Sequence, residues 1–324
     1  LQEIGKVLPG ASGEKVKDLA IGIGVTSVLF TVTILSPILG FLCTFGIPLP
    51  TIVYRAKLGR KQGMLVPAGS LVILVLILGG ISLDILYFLE LLLIGYILYE
   101  ACEQQVSVEA TIGFTSFVAV LAGVIVLIVF SVTSETGIFS LVNGYIRKNL
   151  DATLILYREM GMSADNLDRI KESLEQIQYV FVRILPALAV ISTLVVTWTS
   201  LLLSRPLLRR LNLFFPDFGS LNHWKSPDPL VWGVIGSGLM LLLPSNWIKL
   251  AGTNGLLILM TIYFFQGIAI ISYYFEKKRF PRILRIFLYA LIALQQFLLL
   301  LIIALGFFDV WLNFRRLPVD KSDG

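Results

Sequence analysis

Residues 83–99 read LDILYFLELLLIGYILY, an apolar run whose only acidic or basic residues are Asp84 at its head and Glu90 at its centre. Apolar residues surround the helical wheel instead of forming one stripe, which marks a helix buried in protein or lipid. At 1.5 Å per residue the run measures about 25 Å, close to the depth of a bilayer core. A carboxylate at that depth costs a few kcal/mol unless it is protonated or paired, so Glu90 is expected to face protein or a wet cavity.

The surrounding sequence repeats the pattern. The chain has 324 residues, 56% hydrophobic and 15% charged, with a mean hydropathy of +0.86. A soluble domain carries roughly 25% charged residues, so this balance excludes an ordinary cytosolic enzyme and a disordered, collagen-like or disulfide-scaffold chain. Further apolar runs cover residues 19–40, 41–54, 63–80, 109–130, 179–203, 230–248, 253–275 and 283–308. The segment 41–54 is short and contains Pro48 and Pro50, and is read as bent or partly re-entrant. The expected fold is therefore all-α, a polytopic transmembrane bundle of about eight or nine membrane segments, about five in residues 1–132 and about four in 179–308, with a polar tail over 309–324. Short turns such as Gly79-Gly80-Ile81-Ser82 force antiparallel neighbours. The first apolar run exceeds 20 residues, follows an 18-residue polar lead and lacks a small-x-small site, so it is read as a membrane anchor and not as a cleavable signal peptide.

Residues 133–178 are polar but helical in period. Ile138, Val142, Tyr145, Ile146, Leu150, Leu154 and Tyr157 recur at three- and four-residue steps. Gly161 stops that helix and Ser163 can cap a second, whose positions Leu167, Ile170, Leu174, Ile177, Phe181 and Ile184 run into the membrane without a break. The pair is an external amphipathic element, either a surface helix with a rigid extension of the next span or a lid over an entrance. Arg183 and Pro186 at the junction are candidate gate residues, a snorkelling or paired cation and a kink.

Lys and Arg set the orientation. With the N-terminus cytoplasmic, sixteen lie in loops read as inside, including Arg55, Lys57, Arg60, Lys61 and Lys277, Lys278, Arg279, Arg282, Arg285, against nine outside. Arg315-Arg316 then fall outside, against the trend.

Catalytic and metal signatures are missing. Cys43 and Cys102 have no paired spacing, His223 is a lone histidine, and no Walker A, HExxH, GxSxG or CxxC spacing occurs. No enzyme activity, cofactor, metal or nucleic-acid partner is expected. The polar groups at bilayer depth are Glu90, Gln266 and Gln295-Gln296. Hydroxyls Thr26, Ser27, Thr31 and Thr33 in the first helix could line a path, or bond to their own helix carbonyls. Basic cytoplasmic loops offer a docking surface for a protein partner, though topology alone predicts them.

Several stretches carry a resemblance: Ile47-Pro48-Leu49-Pro50 with Tyr54-Arg55 and Gly59; Ser220-Leu221-Asn222-His223-Trp224-Lys225 with Pro227-Asp228 and Val231-Trp232; Asn254-Gly255-Leu256; Gln266-Gly267-Ile268-Ala269; and Gly306-Phe307-Phe308-Asp309-Val310-Trp311 with Arg315-Arg316. On these, the sequence resembles the DUF2232, or YybS-like, family of bacterial membrane proteins over nearly its whole length. Trp224-Lys225-Ser226-Pro227-Asp228 departs slightly from the family's Trp-x-Leu-Pro-Asp. The resemblance implies motif positions of unassigned role at Arg55, Trp224, Asp228 and Asp309, and adds Asn254 to the candidate intramembrane polar site of Glu90, Gln266 and Gln295. It also implies a bacterial inner-membrane location. The family is distantly similar, in its N-terminal part, to the substrate-binding membrane subunits of energy-coupling-factor vitamin transporters, implying a six-helix solute-binding unit extended by further helices; no vitamin-specific motif is present. The expected function is binding or transport of a small molecule through a polar intramembrane cavity, with a membrane scaffold or assembly protein as the alternative.

Overall fold

The computed structural model describes residues 9–80 and 83–316, and every regular element among them is helical. In chain order these are α1 Pro9–Leu35, α2 Pro37–Thr44, α3 Pro48–Gly63, α4 Leu65–Leu78, α5 Leu83–Glu103, α6 Val108–Thr133, α7 Ile138–Glu159, α8 Ala164–Arg210, a 3₁₀ turn Leu221–His223, α9 Leu230–Leu242, α10 Asn246–Lys277, α11 Arg282–Leu294 and α12 Gln296–Leu312. Part of the expected turn, Ile81 and Ser82, lies outside the described residues, as does the tail beyond Arg316.

Six of these stretches are long and apolar enough to cross a membrane: Gly13–Leu35, Leu39–Gly63, Asp84–Glu103, Val108–Thr133, Arg169–Arg210 and Asn246–Lys277, with α11 and α12 a seventh if the bent pair is one span. The expected count of eight or nine included α4 and α9, which have 14 and 13 residues. The burial pattern agrees with a lipid surround. On α6, Phe114, Phe117, Leu121 and Val124 are exposed while Thr111, Thr115 and Ser116 are buried, the reverse of a water-soluble helix.

Two compact units form. One comprises the chain up to Ile155 with Ser192–Asp217, the other Leu156–Ile191 with the chain from Phe218 onward. In the first unit α1 ends at Leu35, earlier than the expected residue 40, because Pro37 opens α2. Pro48 and Pro50 do not break the following segment as expected. Both sit in the first turn of α3, where a missing N–H has no helical partner to lose. Gly59, at φ +80°, kinks α3 and folds its last residues back so that Gly63 lies against Arg55, and α4 follows alongside. Phe30, Ile47, Leu74, Phe88, Leu91, Leu92 and Ala119 close the core.

The second unit departs further from the sequence reading. The run at 230–248 does not form one helix: α9 ends at Leu242, and Ile248 belongs to α10. The straight helix expected over 283–308 is bent by 102° at Gln295, whose φ of −101° and ψ of 106° are extended. Helices α9 and α10 pack antiparallel, with Gly233 against Leu259 and Gly252 against Ser237. Helices α10 and α12 run parallel. Tyr263 meets Phe307, Gln266 meets Asp309, and the Tyr274 hydroxyl donates to the Phe314 carbonyl, so residue numbers rise together along both. The bent α11–α12 pair, a broken span or a re-entrant loop, brings Phe314 and Arg315 back beside the end of α10 in this unit.

Candidate functional site

Asp84, Tyr87 and Glu90 lie at three-residue steps along α5, within about 9 Å of axial rise. Each is met by a polar partner within the first unit. The Tyr145 hydroxyl of α7 donates to Asp84 at 2.6 Å. Partial burial, together with that bond and the Asp84 charge, pushes the Tyr145 phenol up to about 12. Tyr87 and Thr44 hydroxyls are 2.8 Å apart; since Thr44 donates to the Gly40 carbonyl at 3.0 Å, Tyr87 is the donor between them. The Thr193 hydroxyl of α8 donates to Glu90. Among the described residues Glu90 is in no ion pair.

The series continues beyond Glu90. The four-residue connection between α5 and α6 makes them antiparallel, and the Ser116 hydroxyl of α6 donates to Thr197 at 3.4 Å. Thr197 therefore lies on the α5 C-terminal side of Glu90, and α8 carries Thr193, Thr197, Ser200 and Ser204 at steps of four, three and four along one buried face. Thr111, Thr115 and Ser200 are fully buried without a hydrogen-bond partner. A buried hydroxyl normally bonds to its own helix carbonyl, as Thr26, Thr31 and Thr33 do, so these three are exceptions. From Asp84 to Ser204 the polar series covers about 25 Å of a bilayer core about 30 Å thick.

The other candidates are placed elsewhere. Gln266, in the second unit, accepts from the Ser226 backbone and hydroxyl and donates to Asp309 at 3.1 Å. Asp309 also accepts from the Phe314 amide and from Arg315 at 2.9 Å, and Arg315 donates to the carbonyls of Asn222 and Trp224. This network fastens the loop before α9 to Gln266 of α10 and to the end of α12. Trp224 and Asp309 join it; Asp228 pairs with Lys225 instead. Asn254 accepts from the Ala187 amide and donates to the Arg183 carbonyl, bridging the two groups that bond to each other in an uninterrupted helix, one residue past Pro186. Helix α8 runs continuously through Pro186, and the Arg183 guanidinium lies 3.8 Å from the centre of the Tyr179 ring. Gln295 is exposed at the α11–α12 bend. Arg55, 2% exposed, is paired at 2.7 Å with both Glu100 and Glu103 and flanked by Tyr96 and Tyr99.

The family profile described as "Predicted membrane protein (DUF2232)" matches residues 24–310. The chain belongs to the DUF2232 family. It is 24% identical over 303 residues to the "Uncharacterized protein YybS" of Bacillus subtilis (strain 168), a match covering 92% of this chain and 96% of that protein. No solved structure matches.

In this DUF2232 chain the four expected polar residues do not share one hydrogen-bonded cluster. Gln266 and Asn254 are committed to structural bonds, whereas Glu90 has a hydroxyl partner, no cation and a file of hydroxyls leading from it. The sequence reading missed Thr193, Thr197 and Ser200, although their four- and three-residue steps are a visible helical stripe. The stretches that carried the family resemblance at 220–228, 266–269, 306–311 and 315–316 meet around Gln266, Asp309 and Arg315. Among the described residues no three His, Cys, Asp or Glu side chains are grouped to hold a metal ion.

Proposed function

We propose that this membrane protein binds or moves a small solute through the polar series of the first unit, with Glu90 as the group that meets it. The carrying observation is a carboxyl in mid-span, bonded to a hydroxyl and unpaired with any cation. A carboxyl kept at that depth merely for packing is expensive and replaceable by leucine. No covalent chemistry is part of this reading. The six-helix solute-binding unit implied by the likeness to vitamin-transporter subunits belongs to the same proposal, as does a bacterial inner-membrane location.

Taking the α11–α12 pair as a re-entrant hairpin, and α4 and α9 as short crossings beside the six long ones, gives eight crossings with both termini cytoplasmic. It puts Arg315 and Arg316 with the other basic loops, as the positive-inside rule favours.

Native mass spectrometry of detergent-purified protein tests the solute reading. Wild type is expected to carry a small-molecule adduct, and Glu90→Gln to lose it by about tenfold or more while inserting normally. Equal occupancy in the variant returns Glu90 to packing. A second reading, a scaffold or assembly protein, draws on α7, which buries no residue and exposes Phe139, Ile155 and Leu156. Co-purification of a second protein, lost when these three are changed to serine, would favour it.

A further inference from the structure

We infer that Glu90 also handles a proton, passed between the carboxyl and the hydroxyl file of α8 and α6. The inference rests on the proposed solute path and adds a proton to it: the carboxyl meets the solute, and the hydroxyl file beyond it carries the proton. Thr111, Thr115 and Ser200 are fully buried, so these three hydroxyls are not open to an organic solute. Their hydroxyls lack partners, so each has a free donor and acceptor facing the packed interior. An isolated buried hydroxyl is unfavourable by roughly 1–3 kcal/mol, and three of them on α6 and α8 call for a use.

The charges around Glu90 point the same way. Thr193 is its partner from α8, and Tyr87 is the nearby titratable group on its own helix. Among the described residues no Lys, Arg or His forms an ion pair with it. Only protonation can then neutralise the carboxylate without a bound cation. Hydroxyls on α8 recur at rises of about 4.5 to 6 Å, a gap that side-chain rotation or one water spans. In the relay, the Thr193 hydroxyl gives its proton to the Glu90 carboxylate as the Thr193 oxygen takes one from the Thr197 side, and Glu90 then releases its proton toward the Asp84–Tyr145 end. No bond other than O–H forms or breaks and the electron count is unchanged.

The test uses the full chain. Dicyclohexylcarbodiimide, which reacts with protonated carboxyls in apolar surroundings, is expected to label Glu90, with labelling falling as pH rises from about 6 to about 9 and unaffected by added Na⁺. In proteoliposomes containing a pH-sensitive dye, a K⁺ diffusion potential is expected to drive proton entry. Thr193→Val should slow that entry by about fivefold or more while Thr193→Ser retains it. Protection of Glu90 by Na⁺ would overturn the proton in favour of a cation and leave the solute path standing. Labelling independent of pH, or proton entry no faster than in empty liposomes, would also overturn it; failure of the path itself shows separately, as an adduct indifferent to Glu90→Gln.

Discussion

Arg315 and Asp309 are each about as buried as a core leucine, at 1% and 2% exposure, and lie 2.9 Å apart. A buried pair of this kind adds little over an apolar pair, but removing one partner strands the other. Asp309→Asn or Arg315→Met alone is therefore expected to lower stability by about 3–5 kcal/mol, and the double variant Asp309→Leu with Arg315→Met to recover much of it. Thermal unfolding in detergent reads both. A double variant as unstable as the singles would instead give the network a role beyond pairing. At this scale the sequence was half legible. Glu90 and Gln266 stand out because amides and carboxyls are rare in apolar runs. Their opposite fates were hidden, because the difference lies in partners 40 or more residues away: Ser226 and Asp309 for Gln266, Thr193 for Glu90. Arg315 looked like a topology signal and is a buried clasp.

Helices are where the apolar runs were read best and their ends worst. Helices α5, α6 and the long α8 follow their runs closely, since an uninterrupted hydrophobic stretch has only helix available to it in lipid. The bend at Gln295 escaped the reading because no proline or glycine marks it; the paired glutamines there can satisfy the backbone groups a bend frees. Close packing of α10 on α12 was also invisible, although Gly267 and Gly306 supply it. A Cβ on Gly306 would fall on the Tyr263 carbonyl oxygen, and one on Gly267 on that of Ile302. Without a hydrophobic drive between helices in lipid, such close contact is what holds them. Gly306→Ala is expected to destabilise by about 2 kcal/mol or more, whereas Gly123→Ala on α6, with nothing within 4 Å of its added carbon, should shift stability by about 0.5 kcal/mol or less. Equal unfolding midpoints for the two variants would remove the crossing from the list of stabilising contacts.

For the molecule as a whole, composition points to lipid as the solvent, and charge placement to a topology that labelling can test. The one discord in the charge count, Arg315-Arg316 on the outside, came from treating residues 283–308 as a single crossing. If the pair is instead re-entrant, the basic residues after α10 and after α12 share one end of the second unit. This makes a firm prediction for single cysteines placed in a Cys43→Ser, Cys102→Ser background. Arg279→Cys and Arg316→Cys should both react with a membrane-impermeant maleimide from the same side, and Lys249→Cys, near the start of α10, from the other. In sealed right-side-out vesicles only the last should be labelled, and lysis should expose the first two. Labelling of Arg316→Cys together with Lys249→Cys would mean that α11 and α12 cross once as a kinked span, and the parallel run of α12 beside α10 would then have to be abandoned with it.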